Sequence, residues 1–355
     1  MPTPILIDAH QDMAMNYISY RRDFRESLAT IRAREAGGFA EQQNGVITST
    51  LDGALKANVG LIFSTLFVNP PWESFGKVYN SPQEAEAQAL EQIAYYDDLA
   101  THPQIKRIFT RADLETVRAT WQLPIEQRVV GLVTLMEGAD PIQKPDDFGA
   151  WYERGLRIVG LTWSKTRYAG GTVMNNVGSG SITPDGFALM EQIANFNAVL
   201  DLSHMSEEAY YQAFDAYDGV MIASHSNPRS FRNTDRHLSE DMICKLAERG
   251  GVIGLVPYVR FLTDDATKWN KQSVPLSLYI EAIDTICQLT GSAQHAGIGS
   301  DIDGGFGRAS IPTELDSLAN FNLIPEALNA KGYSDDDVEA ICSGNFLRVL
   351  EGTLP

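Results

Sequence analysis

The chain has 355 residues, of which 44% are hydrophobic and 21% charged, with a formal net charge of -18. That composition belongs to a globular protein with a large core and excludes long disorder, while the acidic balance, without clustered Lys and Arg, excludes a nucleic-acid partner. Cys244, Cys287 and Cys342 are isolated and odd in number, which argues against a disulfide scaffold and fits a reducing cytoplasm.

The opening residues enter an apolar run at once, without a basic segment or an h-region, and no run reaches the roughly 20 apolar residues of a membrane span. A cytoplasmic protein without membrane association is therefore expected. Eight runs rich in Val, Ile and Leu predict strands over residues 5–9, 59–67, 129–136, 156–162, 199–203, 220–224, 252–257 and 296–300. Helical periodicity fills much of the space between them, at 81–99, 184–197, 206–217, 239–249 and 276–289. Ser81-Pro82, Thr183-Pro184, Ser206-Glu207 and Ser334-Asp335 supply N-terminal caps. Strands alternating with helices predict a single domain over 1–355, an α/β fold closed as a (β/α)8 TIM barrel. A further strand at 105–110 and a helix at 112–119 form a small peripheral insertion. The polar stretch 164–182, bracketed by Gly170-Gly171 and Gly178 to Gly180, reads as a loop or lid at the catalytic rim. Gly297-Ile298-Gly299-Ser300-Asp301-Ile302 lacks the third glycine of a dinucleotide fingerprint.

Active sites in this barrel class lie at the C-terminal ends of the strands. His10 and Asp12 follow the first run, Glu137 the third, His204 the fifth, His225 the sixth and Asp301 the eighth. Each alone is weak evidence; together they converge on one rim. His10 and Asp12 are two apart, so on an extended strand they project to one side and can chelate one ion. Imidazole and carboxylate without thiolate suit zinc first, with manganese, cobalt or iron as rivals. Two divalent ions are expected: His10 and Asp12 hold one, His204 and His225 the other. Glu137 bridges ions that lie roughly 3.5–4 Å apart and share a hydroxide. Asp301 is the expected general base and acid, with Asp303 a competing choice. The other histidines read as ordinary: His102 and His295 lie away from the rim, and only His237 can reach the mouth.

At these residues the chain resembles the renal (membrane) dipeptidase family, metallopeptidases of the amidohydrolase superfamily. The match includes Ile7-Asp8-Ala9-His10-Gln11-Asp12, Glu137-Gly138, Asp201-Leu202-Ser203-His204, Ser224-His225-Ser226, Arg232-Asn233 and Gly297 to Gly304, and runs nearly end to end. The resemblance implies a binuclear zinc site, a small dipeptide substrate and a homodimer. It also implies that Arg232 binds the substrate's terminal carboxylate and that Tyr258 contacts substrate. One position departs: where mammalian members carry a histidine, this chain has Trp163, leaving Lys165, Arg167 or Tyr168 as candidates for that role. The expected activity is thus hydrolysis of dipeptides by a metallo-dipeptidase. Alternatives are an amidohydrolase for another small amide, acylated amino acid or lactone, and a non-catalytic metal-stabilised peptide-binding barrel.

Overall fold

A computed structural model describes residues 4–70, 77–173 and 179–355. Its strands in chain order are β1 (Leu6–Gln11), β2 (Val59–Phe67), β3 (Ile105–Arg107), β4 (Val130–Glu137), β5 (Leu156–Gly160), β6 (Ala169–Gly171), β7 (Ser179–Ile182), β8 (Val199–Asp201), β9 (Met221–Ile222), β10 (Ile253–Leu255) and β11 (Ala296–Ile298). Eight of them run in parallel in the order β10-β11-β1-β2-β4-β5-β8-β9, and a parallel bridge from Ala223 to Ile253 joins the two ends. This is the (β/α)8 barrel that the alternation predicts. Every residue of β2 and β4 is buried, as expected of parallel strands covered on both faces.

The expected extra strand is β3, paired with the start of β4 outside the barrel path. The capping signals hold as well. Ser81, Thr183, Ser206 and Ser334 each accept a backbone N–H three residues on, and the helices Pro82–Leu99, Pro184–Asn195 and Glu207–Ala216 begin there.

Several strands are shorter than their apolar runs. Asp201 explains two of these endings: its carboxylate accepts the backbone N–H groups of Ser203 at 3.0 Å and Ser224 at 2.8 Å, taking donors that would otherwise extend the ladder. Asp8 does the same at β11, accepting the Ser300 N–H at 2.7 Å. The chain is thereby free to turn the residues that follow into the barrel mouth.

Between β1 and β2 lie four helices that the periodicity does not predict, Met13–Tyr20, Leu28–Glu35, Phe39–Asn44 and Leu51–Lys56. None exceeds eight residues, too short for an apolar stripe to register. A buried ion pair, Arg22 with Glu35 at 2.8 Å, ties them together. Asn16 and Asn44 donate to the Asp303 carbonyl, which fixes the loop after β11 against this insertion. The polar stretch after β5 folds partly as an antiparallel hairpin of β6 and β7; its residues 174–178 lie outside the described residues. No helix among the described residues is long and apolar enough to cross a membrane.

Candidate functional site

The strand register sets the level of the site. Glu137 is paired with Phe67 and Gly160, Gly160 with Asp201, and Asp201 with Ile222, forming one layer at the C-terminal ends. His204 and Asp301 lie just beyond it with φ of 66° and 52°. That left-handed conformation costs a non-glycine residue roughly 1–2 kcal/mol and, in a candidate ligand and the candidate acid–base at once, marks geometry held for function. A β-carbon on Gly304 would fall 2.0 Å from Asp301 Oδ1, so glycine there leaves the carboxylate its place.

Glu137 stands at the centre. Its Oε1 lies 3.0 Å from His204 Nε2 and 3.2 Å from His225 Nε2, and its Oε2 lies 3.6 Å from His10 Nε2. Asp12 Oδ2 is 4.0 Å from His10 Nε2. Ligand atoms of His10, Glu137 and His225 group together, and so do those of His10, Asp12 and Asp301.

These atoms call for a cation. His204 Nδ1 lies 2.9 Å from the Thr172 carbonyl, which can only accept, so that nitrogen carries the proton and Nε2 a lone pair. Nε2 of His204 is 2.9 Å from Nε2 of His225 and also faces Glu137 Oε1, acceptor against acceptor. Burial depresses the pKa of both imidazoles, which disfavours an extra proton as the remedy. Across the centre, the buried His10 Nε2 and Asp12 Oδ1 have no hydrogen-bond partner among the described residues. A divalent ion would satisfy all of them, and nitrogen and oxygen donors without sulfur suit it.

The electrostatics agree. Burial opposes charge on His10, yet Glu137, Asp12 and Asp301 outweigh it and push its pKa up to about 10. Burial and then Glu137 push Asp12 up to about 7. Burial, joined by Asp12 and Glu137, raises Asp301 well above the ordinary carboxylate value. Carboxylates crowded like this are short of positive charge.

A cavity of about 180 Å³ opens beside the centre, lined by Asp12, Met15, Phe67, Glu137, Trp163, Val173, His204, Arg236, Tyr258, Phe261, Asp301, Gly304, Gly305 and Phe306. Larger cavities of about 440 and 590 Å³ lie elsewhere, but neither gathers a histidine. Trp163 packs edge-on to Phe67 and 6.0 Å from the His204 ring, and Tyr258 stacks on Phe306 at 4.2 Å. Arg232 is not among the lining residues. Its Nη1 donates to the Arg260 carbonyl and its guanidinium lies 4.4 Å over the Trp269 ring.

The guanidinium that does line the cavity is that of Arg236, buried, with Nη2 donating to the His225 carbonyl at 2.7 Å and Nη1 to Ser226 Oγ at 3.1 Å. Sequence reasoning missed it. Three arginines, Arg229, Arg232 and Arg236, share one irregular segment, and nothing in their spacing says which faces inward.

Lys165 and Arg167 line a different cavity, where Arg167 is tied to carbonyls of Asp140, Ile142 and Gln143, and the Tyr168 hydroxyl donates to Ile142. Asp303 accepts from Thr48 and Ser49 and serves as a brace. His237 is buried against Phe261, with Nδ1 2.9 Å from Thr234 Oγ1, and does not reach the mouth. His102 accepts from the Gln104 N–H, and His295 lies 2.9 Å from the Gly251 carbonyl.

Known proteins place the chain in a family. The family model described as membrane dipeptidase (peptidase family M19) matches residues 1–353. The chain is 27% identical over 352 residues to dipeptidase verJ of Clonostachys rogersoniana, covering 98% of this chain and 83% of that one. It is also 27% identical over 269 residues to an uncharacterized protein of Klebsiella pneumoniae encoded in the pqqA 5' region, covering 74% and 94%. Among solved structures, a metallopeptidase of Rhodobacter sphaeroides with a phosphinate mimic of L-Ala-D-Ala bound has the same fold, at a TM-score of 0.80, 20% identity and 99% coverage of both chains. Dipeptidase AC gives a TM-score of 0.79 at 23% identity, again over 99% of both. With its eight-stranded barrel and a match along nearly its whole length, the chain belongs to the membrane dipeptidase family of metallopeptidases and is a peptide-bond hydrolase.

Proposed function

We propose that this protein is a dipeptidase working with two divalent cations, zinc first. The observation that carries the reading is the division of the Glu137 carboxylate, one oxygen toward His204 and His225 and the other toward His10. His10 and Asp12 would hold one cation, His204 and His225 the other, and Glu137 would contact both. Bound there, the cations would polarise the scissile carbonyl and lower the pKa of water.

The chain's own groups do the rest. Arg236 has donors beyond its two internal bonds and offers them to the terminal carboxylate of a substrate, a role the resemblance assigned to Arg232. Phe67, Trp163, Tyr258 and Phe306 wall the cavity and keep bulk solvent, other than the attacking water, from the bond being cut. A cavity of this size suits a substrate as small as a dipeptide. Asp301, its proton affinity raised by burial and by neighbouring acids, takes a proton from the attacking water and returns it to the leaving amine nitrogen.

The test is a metal analysis of the purified protein together with a panel of dipeptides assayed after loading with zinc, manganese or cobalt. Two equivalents of metal and turnover of dipeptides are expected; no hydrolysis with any of the metals overturns the reading. Trp163 favours a second reading, a hydrolase for another small amide or a lactone, because an indole offers one N–H donor and a bulky apolar face. Full activity on substrates without a free carboxylate would favour it.

A further inference from the structure

We infer that Asp201 and Ser224 form a positioning pair that sets which nitrogen of His225, and secondarily of His10, carries the proton. The inference rests on the metal-centre reading above. Both residues are buried, with Asp201 2% and Ser224 0% exposed. Neither lines the cavity, and no role for them follows from the chemistry described so far.

Asp201 uses one oxygen for the backbone: Oδ1 accepts from Ser203 N at 3.0 Å and Ser224 N at 2.8 Å. Its other oxygen, Oδ2, is 2.5 Å from Ser224 Oγ and accepts the hydroxyl proton. A hydroxyl has one proton and two lone pairs. With its proton committed to Asp201, Ser224 Oγ has two lone pairs for three remaining neighbours, His225 Nδ1 at 2.8 Å, Ser203 Oγ at 3.3 Å and His10 Nδ1 at 3.4 Å, and accepts most closely from His225. His225 is thereby held with its proton on Nδ1 and its lone pair on Nε2, the nitrogen that faces Glu137, and His10 would keep its Nδ1 proton on giving up the other to a cation. One carboxylate therefore governs His225 through a short bond and reaches His10 only through a longer contact for which Ser203 competes.

The isosteric change Asp201→Asn separates this role from simple packing. The two backbone N–H groups require an acceptor, so the amide oxygen must face them and the amide NH₂ must face Ser224 Oγ. The hydroxyl, now receiving a hydrogen bond, turns its own proton toward His225 Nδ1, and the imidazole proton is driven to Nε2, where it blocks a cation. Ser224→Ala leaves Nδ1 without an acceptor but presents no misdirected donor. Tautomer control thus predicts that Asp201→Asn is worse than Ser224→Ala, and that adding Ser224→Ala to Asp201→Asn restores affinity. A packing role predicts the reverse order, the double variant being worst.

The measurements are zinc affinity by competition with a chelator, and histidine ¹⁵N shifts of the metal-free protein, which distinguish the two tautomers. We expect Asp201→Asn to weaken one zinc by about 100-fold and Ser224→Ala by about 10-fold or less, the range that outer partners of metal ligands span. The double variant should recover toward the single Ser224→Ala. In the unaltered metal-free protein, which removes any question of misfolding, His225 should show the Nδ1–H form. The Nε2–H form there, or Asp201→Asn holding two zinc ions as tightly as Ser224→Ala does, overturns the inference while leaving the metal centre intact. Absence of zinc from the unaltered protein would instead sink the reading of the centre itself.

Discussion

On the Glu137 Oε1 side, His204 is anchored by the Thr172 carbonyl and His225 by Ser224 Oγ, so each imidazole is oriented by the protein alone. On the Oε2 side, His10 Nε2 and Asp12 Oδ1 have no hydrogen-bond partner among the described residues, and the acids Asp12, Glu137 and Asp301 crowd around a single imidazole. One half is preorganised; the other is held in electrostatic tension that a cation would relieve. The contrast teaches that the two sides of the proposed centre are unequally supported, and that removing metal should disturb them unequally.

The hardest blow to the preorganised half is His204→Ala. It should lose one cation and, with several kcal/mol of carbonyl polarisation gone, about 10³-fold or more in turnover. The barrel should stay folded, because the site lies at the strand ends and not in the core. Metal content and circular dichroism check both parts; near-native rates would contradict the assignment. Asp301→Asn acts on the other half. It should retain both cations yet lose about 10²–10⁴ in kcat, the usual span for a proton-transfer group. Arg236→Met lies outside both halves and should cost about 1.5–3 kcal/mol in kcat/KM, but only for substrates with a free terminal carboxylate. A uniform loss across substrates would remove Arg236 from recognition.

The candidate ligands of both halves were legible, His10 and Asp12 from their spacing and the others from their places at run ends. His204 and His225 each end an apolar run, and a strand's register carries such a residue to the barrel mouth whatever surrounds it. Glu137 was legible for the same reason, being the last residue of β4. What supports these ligands was not. The role of Asp201 depends on Ser224 lying across the barrel wall 23 residues away, and the Thr172 contact depends on the hairpin after β5. Arg236 sits in irregular chain, where no period assigns a face. The four short helices before β2 escaped because their stability comes from tertiary ties such as Arg22 to Glu35 and not from a repeating apolar stripe. Sequence periodicity reports the side a residue faces within an element; it is silent on partners brought together by closure of the barrel.

The tense half gives the smallest expected effect and the most direct signature. In the metal-free protein, His10 is raised from 6.5 to about 10 and Asp12 from 3.8 to about 7, so the folded state binds more protons than the unfolded chain. The contribution of each is fully present below its unfolded value and is lost as pH rises through its folded value. Glu137 is shifted the opposite way, below 4.5, so its contribution is complete above that value and does not change across the neutral range. His204, His225 and His237 are shifted below 6.5 and add stability as pH rises toward that value, after which their contribution is complete; the Tm of chelator-treated protein should therefore fall as pH rises from about 7 to about 10. Adding zinc displaces those protons, so the rise in Tm that zinc produces should grow over the same interval. A chelated protein whose Tm climbs with pH, or a zinc-induced shift that shrinks, would show that the acids around His10 are not held against one another as their geometry implies. If that slope survives in Ser224→Ala, the tension belongs to the His10 half and not to the hydroxyl that the two halves share.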